Sequence, residues 1–258
     1  MPFEFDGKKY SKASSHQMEW GERLIAELKL NGDERILDLG CGDGGLTGKL
    51  ADVVPNGEVV GIDASQGMLD AARQNVRNNL RFELRDINDL AFESEFDVVF
   101  SNAALHWVLD HERLLENVLR SLKTGGVARF NFGADGNCPR YFQVVREAIA
   151  SPEFARFFQD FQWPYYMPTI DEYRALVEAF AFSEFEVWGE DADRHFPDTD
   201  ALTGWIDQPS IVPFLANVEP SRKQAFRDTV VSKTADLTRQ EGGGHFVAFR
   251  RVNLLARK

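Results

Sequence analysis

Residues 36–50, ILDLGCGDGGLTGKL, combine an acid with closely spaced glycines. Gly40, Gly42 and Gly45 match the pattern Gly-x-Gly-x-x-Gly, which lets backbone amides and a helix N-terminus approach a ligand closely because no Cβ intervenes. Asp38 lies two residues before this loop, where its carboxylate would repel a pyrophosphate. The same carboxylate could hold the ammonium of an amino-acid-like ligand, directly or through water. The loop therefore predicts a ligand that carries positive charge.

Two further acids end the next two predicted strands: Asp63 in VVGIDAS and Asp86 in ELRDI. Ligands of open α/β sheets bind beyond the carboxyl ends of the strands, so both side chains are expected to line one crevice. Asp63 suits a ribose diol and Asp86 the exocyclic amine of adenine. Helix or turn capping is the alternative, near Ser65 for the first and at Ile87 for the second. Three strand-end acids fit a cationic adenosyl ligand with an amino-acid tail better than they fit NAD.

The elements that position these acids alternate along the chain. Short apolar runs suited to buried parallel strands occur in ERILDLG, EVVGID, LRFELRDI, FDVVFSN and GVARFNFG. Helical patterns separate or flank them over residues 16–30, 45–53, 65–76 and 111–126. Alternating strands and helices predict an α/β fold with a doubly wound parallel sheet.

The pattern changes from about residue 134. Residues 141–168 are crowded with aromatic residues and proline, and they predict a helical insertion followed by a helix at 171–181. FSEFEVWGE and FVAFRRVNLLARK resemble strands, with helical stretches at 201–215 and 219–240 between them. No Gly/Ser linker separates these parts, so we expect one domain, 1–258, with cap insertions at 134–170 and 191–243.

Composition excludes several classes of protein. The 258 residues carry a net charge of −12, which argues against binding to nucleic acid or to an anionic membrane surface. Cys41 and Cys138 are too few for a disulfide scaffold or a cysteine zinc site, and no metal is predicted. The N-terminal residues have no apolar signal core, and no stretch approaches a membrane span. These features predict a soluble, cytoplasmic protein.

The constellation resembles the class I S-adenosylmethionine-dependent methyltransferases. DLGCGDG is similar to the first motif of the family, GIDASQGML to its second and SNAALHWVLDHERLL to its fourth-strand segment. The resemblance implies a Rossmann-like, seven-stranded sheet that is mostly parallel, with an antiparallel C-terminal strand and a helical cap. FSEFEVWGE and FVAFRRVNLLARK are similar to the family's final hairpin. It also implies S-adenosyl-L-methionine as the cofactor.

Within the family, the chain resembles the trans-aconitate and juvenile hormone acid carboxyl methyltransferases through YSKASSHQ, ALHWV and ALTGWIDQPSIVPFL. This likeness implies that Gln17 and Trp107 donate hydrogen bonds to the acceptor carboxylate. A carboxylate is already nucleophilic, so alignment rather than base catalysis would drive the reaction. His106 is the general base that a hydroxyl acceptor would need. The structural alternatives are a solvated Gln17, a hydrogen-bonded His106 and a Trp107 that fills the core.

The resemblance implies a set of cofactor contacts around the glycine loop and the strand ends. Tyr10 and Trp20 would close over the methionine part, and Met68 would pack on the adenine unless it is a core residue. The predicted cofactor-binding residues are Tyr10, Trp20, Asp38, Gly40, Cys41, Gly42, Asp63, Ala64, Met68, Asp86, Ile87 and Asn102.

The acceptor is expected to be a small acid with an apolar part, bound under the cap insertions by a monomer or weak dimer. The aromatic residues of the insertion fit either a lid over such a molecule or simple packing. A polyacid would need arginines, for which Arg140, Arg146 and Arg174 are available.

Other functions remain open at this stage. A hydroxyl- or carbon-methylating enzyme would depend on His106 as base, and an ester on an acyl carrier protein is opposed by the negative charge of both partners. Nucleic-acid base methylation is disfavoured because SNAALHW lacks an Asn/Asp-Pro-Pro-aromatic segment. An NAD-dependent dehydrogenase would share the glycines and Asp63, but not Asp38 or Asp86. A non-catalytic cofactor sensor is the third alternative.

Overall fold

The computed structural model describes residues 3–7, 10 and 15–258. The chain divides into two compact units. The first comprises the described residues up to Asp135 together with Tyr165–Glu190 and Arg251–Lys258, and the second comprises Gly136–Pro164 and Asp191–Arg250. The second unit thus contains most of both predicted insertions, and its position over an acceptor stays a prediction.

Within the described residues the strands, in chain order, are β1 Arg35–Leu39, β2 Glu58–Asp63, β3 Leu80–Leu84, β4 Phe96–Asn102, β5 Leu122–Gly133, β6 Glu184–Asp191, β7 Arg194–Phe196, β8 His245–Val247 and β9 Arg250–Arg257. The α-helices of the same residues are α1 Ser15–Glu27, α2 Gly45–Val53, α3 Gln66–Ala72, α4 His111–Ser121, α5 Pro139–Ala150, α6 Ile170–Glu178, α7 Thr199–Trp205, α8 Val212–Leu215 and α9 Lys223–Thr238.

The first unit is built on a seven-stranded sheet of order β3-β2-β1-β4-β5-β9-β6. Strands β1 to β5 pair in parallel, and β9 runs antiparallel to β5. This arrangement confirms the predicted fold, including the antiparallel C-terminal strand. The carboxyl ends of β1, β2 and β4 therefore meet at one edge, where the glycine loop and the predicted site residues follow them.

Both faces of the sheet are covered, which explains why its parallel strands are apolar throughout. On one face, Leu24 of α1 and Leu50 of α2 belong to a buried cluster with Ile36 of β1. On the other, Leu115 of α4 and Tyr173 of α6 belong to a cluster with the strand residues Leu37 and Val99, and all four side chains are fully buried.

Two element boundaries differ from the predictions. The helix expected over 111–126 ends at Ser121, because Leu122 pairs with Phe96 and begins β5. The stretch 141–168 is helical only to Ala150, apart from one 3₁₀ turn at Ala155–Phe157. Proline and clustered aromatic residues make the rest of this segment irregular, because it packs through rings rather than through a helical stripe.

The second unit has its own aromatic core and a two-stranded antiparallel sheet, β7–β8. Phe226 of α9 contacts Phe154 and Phe158, with ring centroids 5.1 and 5.5 Å apart. The strand predicted across FVAFRRVNLLARK is divided here, since His245–Val247 pairs with β7 while β9 begins at Arg250.

None of the helices in the described part of the chain is long and apolar enough to cross a membrane.

Candidate functional site

The glycine loop is held against β2 by its backbone. Gly40 N and Cys41 N both donate to Ile62 O at 2.9 Å. Gly40 and Gly42 have φ values of 70° and 55°, in the left-handed region that favours glycine. A Cβ on Gly40 would lie 2.3 Å from the Cβ of Ala104. The loop therefore requires glycine at position 40 for both its conformation and its packing.

Asp63 ties the loop to the start of α3. Its Oδ2 accepts from Gly42 N and its Oδ1 from Ser65 N, each at 2.9 Å. Burial raises the pKa of this carboxyl, and the two backbone hydrogen bonds partly counter that effect. Asp63 therefore caps the turn at Ser65, as its alternative interpretation expected. Its carboxylate still lies at the edge of the sheet where a ribose is expected.

Asp38 is the most deeply buried of the three acids, at 3% exposed. Thr47 Oγ1 donates to Asp38 Oδ2 at 2.8 Å. Removal from water and, to a smaller extent, the nearby charge of Asp63 raise the pKa of Asp38 from 3.8 to about 7, against the lowering effect of the Thr47 hydrogen bond. A cation bound at this carboxylate would favour its charged form.

Replacing Asp38 by asparagine is expected to stabilise the ligand-free protein at high pH. The folded-state pKa lies above the unfolded value, so the stability that the carboxyl contributes is present below pH 3.8 and is lost as pH rises through 7. At pH 8 the free energy of unfolding should rise by roughly 2–4 kcal/mol. Chemical denaturation at pH 8 and pH 4 measures the effect. A gain of equal size at both values would contradict the assignment.

A cleft with about 410 Å³ of empty space, its open mouth included, lies beside the loop. We call it the loop cleft. Six residues predicted for the cofactor line it together with Gln17, and three lining residues had not been predicted. The lining consists of Tyr10, Gln17, Met18, Asp38, Gly40, Cys41, Gly42, Asp43, Leu46 and Asn102.

Two buried oxygens of the loop cleft, Gln17 Oε1 and Asn102 Oδ1, have no hydrogen-bond partner within the described residues. Asn102 Nδ2 donates to Gln17 O at 2.8 Å, which fixes the orientation of the Asn102 amide. A buried acceptor without a donor costs free energy. A ligand that brings N–H donors, such as the ammonium of a methionine group, would satisfy Asn102 Oδ1 beside Asp38. The residues present therefore fit the predicted cofactor.

The unpredicted lining residues are Met18, Asp43 and Leu46. Met18 directly follows Gln17, and Leu46 lies in the first turn of α2. Their positions next to predicted residues were the available signal. Asp43 could have been found as the second acid of the loop.

Other predicted cofactor contacts lie outside the lining of the loop cleft. Asp86 caps the turn Ile87–Asp89 and accepts from Asn88 N at 2.8 Å, as its alternative interpretation expected. The terminal carbon of Ile87 lies 3.9 Å from the Cβ position of Gly40, beside the loop. Met68 is buried in α3, and Ala64 lies between Asp63 and the Ser65 cap.

Trp20, predicted to cover the methionine part, does not line the loop cleft. Its side chain is 3% exposed, and Arg251 lies over its ring at 4.6 Å from the centroid. Its contact with the cofactor stays a prediction. Of YSKASSHQ, which carried part of the family likeness, residues 11–14 lie outside the described residues.

His106 and Trp107 lie on the 3₁₀ turn that follows β4. Trp107 contacts Phe3, Phe5 and Tyr165, with ring centroids 5.8, 5.5 and 4.7 Å away. Burial, with smaller contributions from the charges of Arg251 and His111, lowers the pKa of His106 to about 3. His106 is therefore neutral at physiological pH and a weak base.

Known proteins share this sequence pattern and this fold. A profile described as a methyltransferase domain matches residues 36–126. A trans-aconitate 2-methyltransferase of Methylobacterium radiotolerans is 28% identical over 253 residues, which are 96% of each chain. The YcgJ protein of Bacillus subtilis has a TM-score of 0.62 at 17% identity, covering 94% of this chain and 98% of that one.

A Haemonchus contortus phosphoethanolamine N-methyltransferase 2, solved in complex with S-adenosyl-L-methionine, has a TM-score of 0.61 at 18% identity. That likeness covers 97% of this chain and 56% of the other, and it concerns the fold. Together with the glycine loop and the strand order, the profile match confirms the resemblance found in the sequence. The profile over residues 36–126, the relatives and the sheet order together support an S-adenosylmethionine-dependent methyltransferase.

Proposed function

We propose that this enzyme methylates a carboxylate oxygen of a small organic acid. The observation that carries the proposal is that His106 Nδ1 is buried without a hydrogen-bond partner among the described residues, so no acid supports His106 as a base, and burial lowers its pKa. A hydroxyl acceptor needs a base with a pKa near the working pH, whereas an ionised carboxylate needs none. The relative from Methylobacterium radiotolerans, which matches this chain from end to end, is named for an acid.

The cofactor contacts are proposed from the geometry of the loop. Asp38 and Asn102 Oδ1 would hold the ammonium, and the backbone of Gly40, Cys41 and Gly42 would face the methionine part. The carboxylate at Asp63 would accept from the ribose hydroxyls. Asp86 would accept from the adenine amine, with Ala64, Met68 and Ile87 beside the ring. Tyr10, which lines the cleft, would cover the bound ligand.

When bound, S-adenosylmethionine supplies an electrophilic methyl group that a carboxylate oxygen takes as the carbon–sulfur bond breaks, giving a methyl ester and S-adenosylhomocysteine. The chain's own task is to align the acid and to exclude water. Gln17 has an amide that can donate through Nε2 after rotation of its last torsion. Trp107 would donate through its indole N–H. No proton leaves the acceptor, so this chemistry does not need His106 as a base, and a neutral His106 is compatible with it.

Tritiated methyl transfer tests the proposal directly. The enzyme is incubated with labelled cofactor and trans-aconitate, decanoate or a phenol, and the product is treated with mild base. We expect label in an acid acceptor that base releases as methanol, which identifies an ester. Label in the phenol alone, or in a product that resists base, would instead favour a hydroxyl- or carbon-methylating enzyme.

Gln17→Ala and Trp107→Phe are expected to lower turnover on the acid acceptor by roughly tenfold each, as for a lost hydrogen bond to a charged group. The affinity for S-adenosylhomocysteine should change by less than about threefold. Steady-state kinetics and calorimetric titration measure the two quantities. Gln224→Ala is the matched control, because that glutamine is exposed on α9 and bonds only Asp228 among its described partners. A large loss of cofactor binding in both site variants would show that the two residues are misplaced.

A further inference from the structure

A buried arginine lies on the face of the sheet that α1 covers. Arg251 is the second residue of β9 and is 3% exposed. Its Nε donates to Asn131 Oδ1 at 2.7 Å and its Nη2 to Asn131 O at 3.3 Å. The guanidinium carbon lies 4.6 Å from the centroid of the Trp20 ring. These contacts hold the guanidinium in one orientation, so it would lose little entropy on binding an anion.

The strand register places this cation at the edge where the site is built. Arg251 lies opposite Gly133, the last residue of β5. Asn131, which holds the guanidinium, is in register with Asn102 on β4. Asn102 in turn lines the loop cleft and donates to Gln17 O. A chain of polar contacts and strand pairing therefore runs from Arg251 to the cleft.

The charge of Arg251 acts on residues of the site. It lowers the pKa of His106, in addition to the larger effect of burial. It also lowers the pKa of Tyr10, against burial and the charges of Asp43 and Asp63, which raise it. An acidic acceptor must approach a protein of net charge −12, so it needs a local positive charge.

The arginines considered from the sequence have other partners. Arg140 Nη1 donates to Leu237 O, and Arg146 lies over Trp163 at 4.6 Å; both belong to the second unit. Arg174 pairs with Asp171 on the exposed side of α6. Neither these three nor Arg251 lines the loop cleft, but Arg251 is connected to it through Asn131 and Asn102.

We propose that Arg251 binds a carboxylate group of the acceptor and thereby determines the preference for acids. The inference rests on the proposed function, because it assumes an acidic acceptor. Arginine suits this role since its planar donors match a carboxylate. The last strand would then supply a specificity-determining residue in addition to its place in the sheet.

Arg129 offers a matched control. It is 2% exposed, lies over Trp188 at 4.9 Å and donates to Asn253 Oδ1 at 3.2 Å, much as Arg251 does with Trp20 and Asn131. Its charge is paired with Glu27 at 2.7 Å, and it lies four residues before the end of β5. Replacing either arginine should cost stability, but only Arg251 should affect the acid.

The experiment compares Arg251→Met, Arg251→Lys and Arg129→Met with the wild type. We expect Arg251→Met to raise the KM for trans-aconitate, or for decanoate if that is the better acceptor, by at least 20-fold. The dissociation constant for S-adenosylhomocysteine should stay within threefold. Arg251→Lys should recover part of the loss because it keeps the charge, and Arg129→Met should change KM by less than twofold. Thermal unfolding shows which variants are folded. If Arg251→Met does not fold, the KM of Arg251→Lys is compared with the wild type instead.

Calorimetric titration of both acids into the enzyme bound to S-adenosylhomocysteine separates this proposal from the proposed function. Acid binding that disappears in Arg251→Met supports the inference even if no ester forms in the wild type. Weaker binding of S-adenosylhomocysteine with unchanged acid binding would overturn it, since the arginine would then hold the carboxylate of the cofactor. Equal losses in Arg251→Met and Arg129→Met, or no acid binding to the wild type, would also overturn it.

Discussion

Asp63→Ala is expected to weaken binding of S-adenosylhomocysteine by about 1.5–3 kcal/mol, the range for hydrogen bonds to a charged group. This corresponds to a dissociation constant raised roughly 10- to 150-fold. Two effects add: the ribose hydroxyls lose their acceptor, and Gly42 N and Ser65 N lose the carboxylate that holds the loop against α3. Calorimetric titration measures the change.

Asp110→Ala separates these effects from simple loss of a cap. Asp110 Oδ1 accepts from Arg113 N at the start of α4, as Asp63 Oδ1 does from Ser65 N, but it does not line the loop cleft. Its replacement should cost about 1 kcal/mol of stability and leave S-adenosylhomocysteine affinity unchanged. If Asp63→Ala behaves in the same way, with an unchanged dissociation constant, Asp63 does not belong to the site.

The site acids are costly to the protein without ligand. Burial raises the pKa of both Asp38 and Asp63, and the charge of Asp63 adds to the effect at Asp38. A cation that binds between such carboxylates recovers part of that free energy. Burial of the acids therefore favours a positively charged cofactor as much as their hydrogen bonds do. The ligand-free protein is less stable as a result, and binding recovers part of that free energy.

The sequence was sufficient for the topology of the first unit. Each parallel strand is a short apolar run, because both sheet faces are covered, and each is followed by a turn signal. Element boundaries were harder to predict where the same residues fit both a helix and a strand. Leu122 completes the apolar pattern of α4 but pairs with Phe96 instead, and only the paired strand decides between them.

For the site, residues close to the motifs were predictable and distant ones were not. Asp38, Gly40 and Gly42 line the loop cleft as expected from the loop sequence. Arg251 was missed because FVAFRRVNLLARK has only the signature of a strand. Its placement beside Asn131 and Trp20 depends on the antiparallel register of β9, which joins residues 120 positions apart.

Gly40→Ala is expected to be the most damaging single change at the loop. Its Cβ would lie 2.3 Å from the Cβ of Ala104, on a segment fixed by the bond from Ala103 N to Asn131 O at 2.7 Å. Moving the Gly40 backbone would break its bond from Gly40 N to Ile62 O, and moving Ala104 would strain the bond from Ala103 N. The φ of 70° adds the strain of a left-handed residue. We expect a loss of roughly 2–4 kcal/mol of stability and at least a hundredfold loss of S-adenosylhomocysteine affinity.

Gly48→Ala is the control for this prediction, because it adds the same methyl group one turn into α2. Nothing lies within 4 Å of its Cβ position, and alanine favours the helix over glycine by about 1 kcal/mol. Gly48→Ala should therefore raise the melting temperature and leave affinity unchanged. Denaturation and calorimetric titration of both variants decide the matter. If Gly40→Ala keeps its affinity and melts with the wild type, the loop can move away from Ala104, and the close approach is not a requirement of the site.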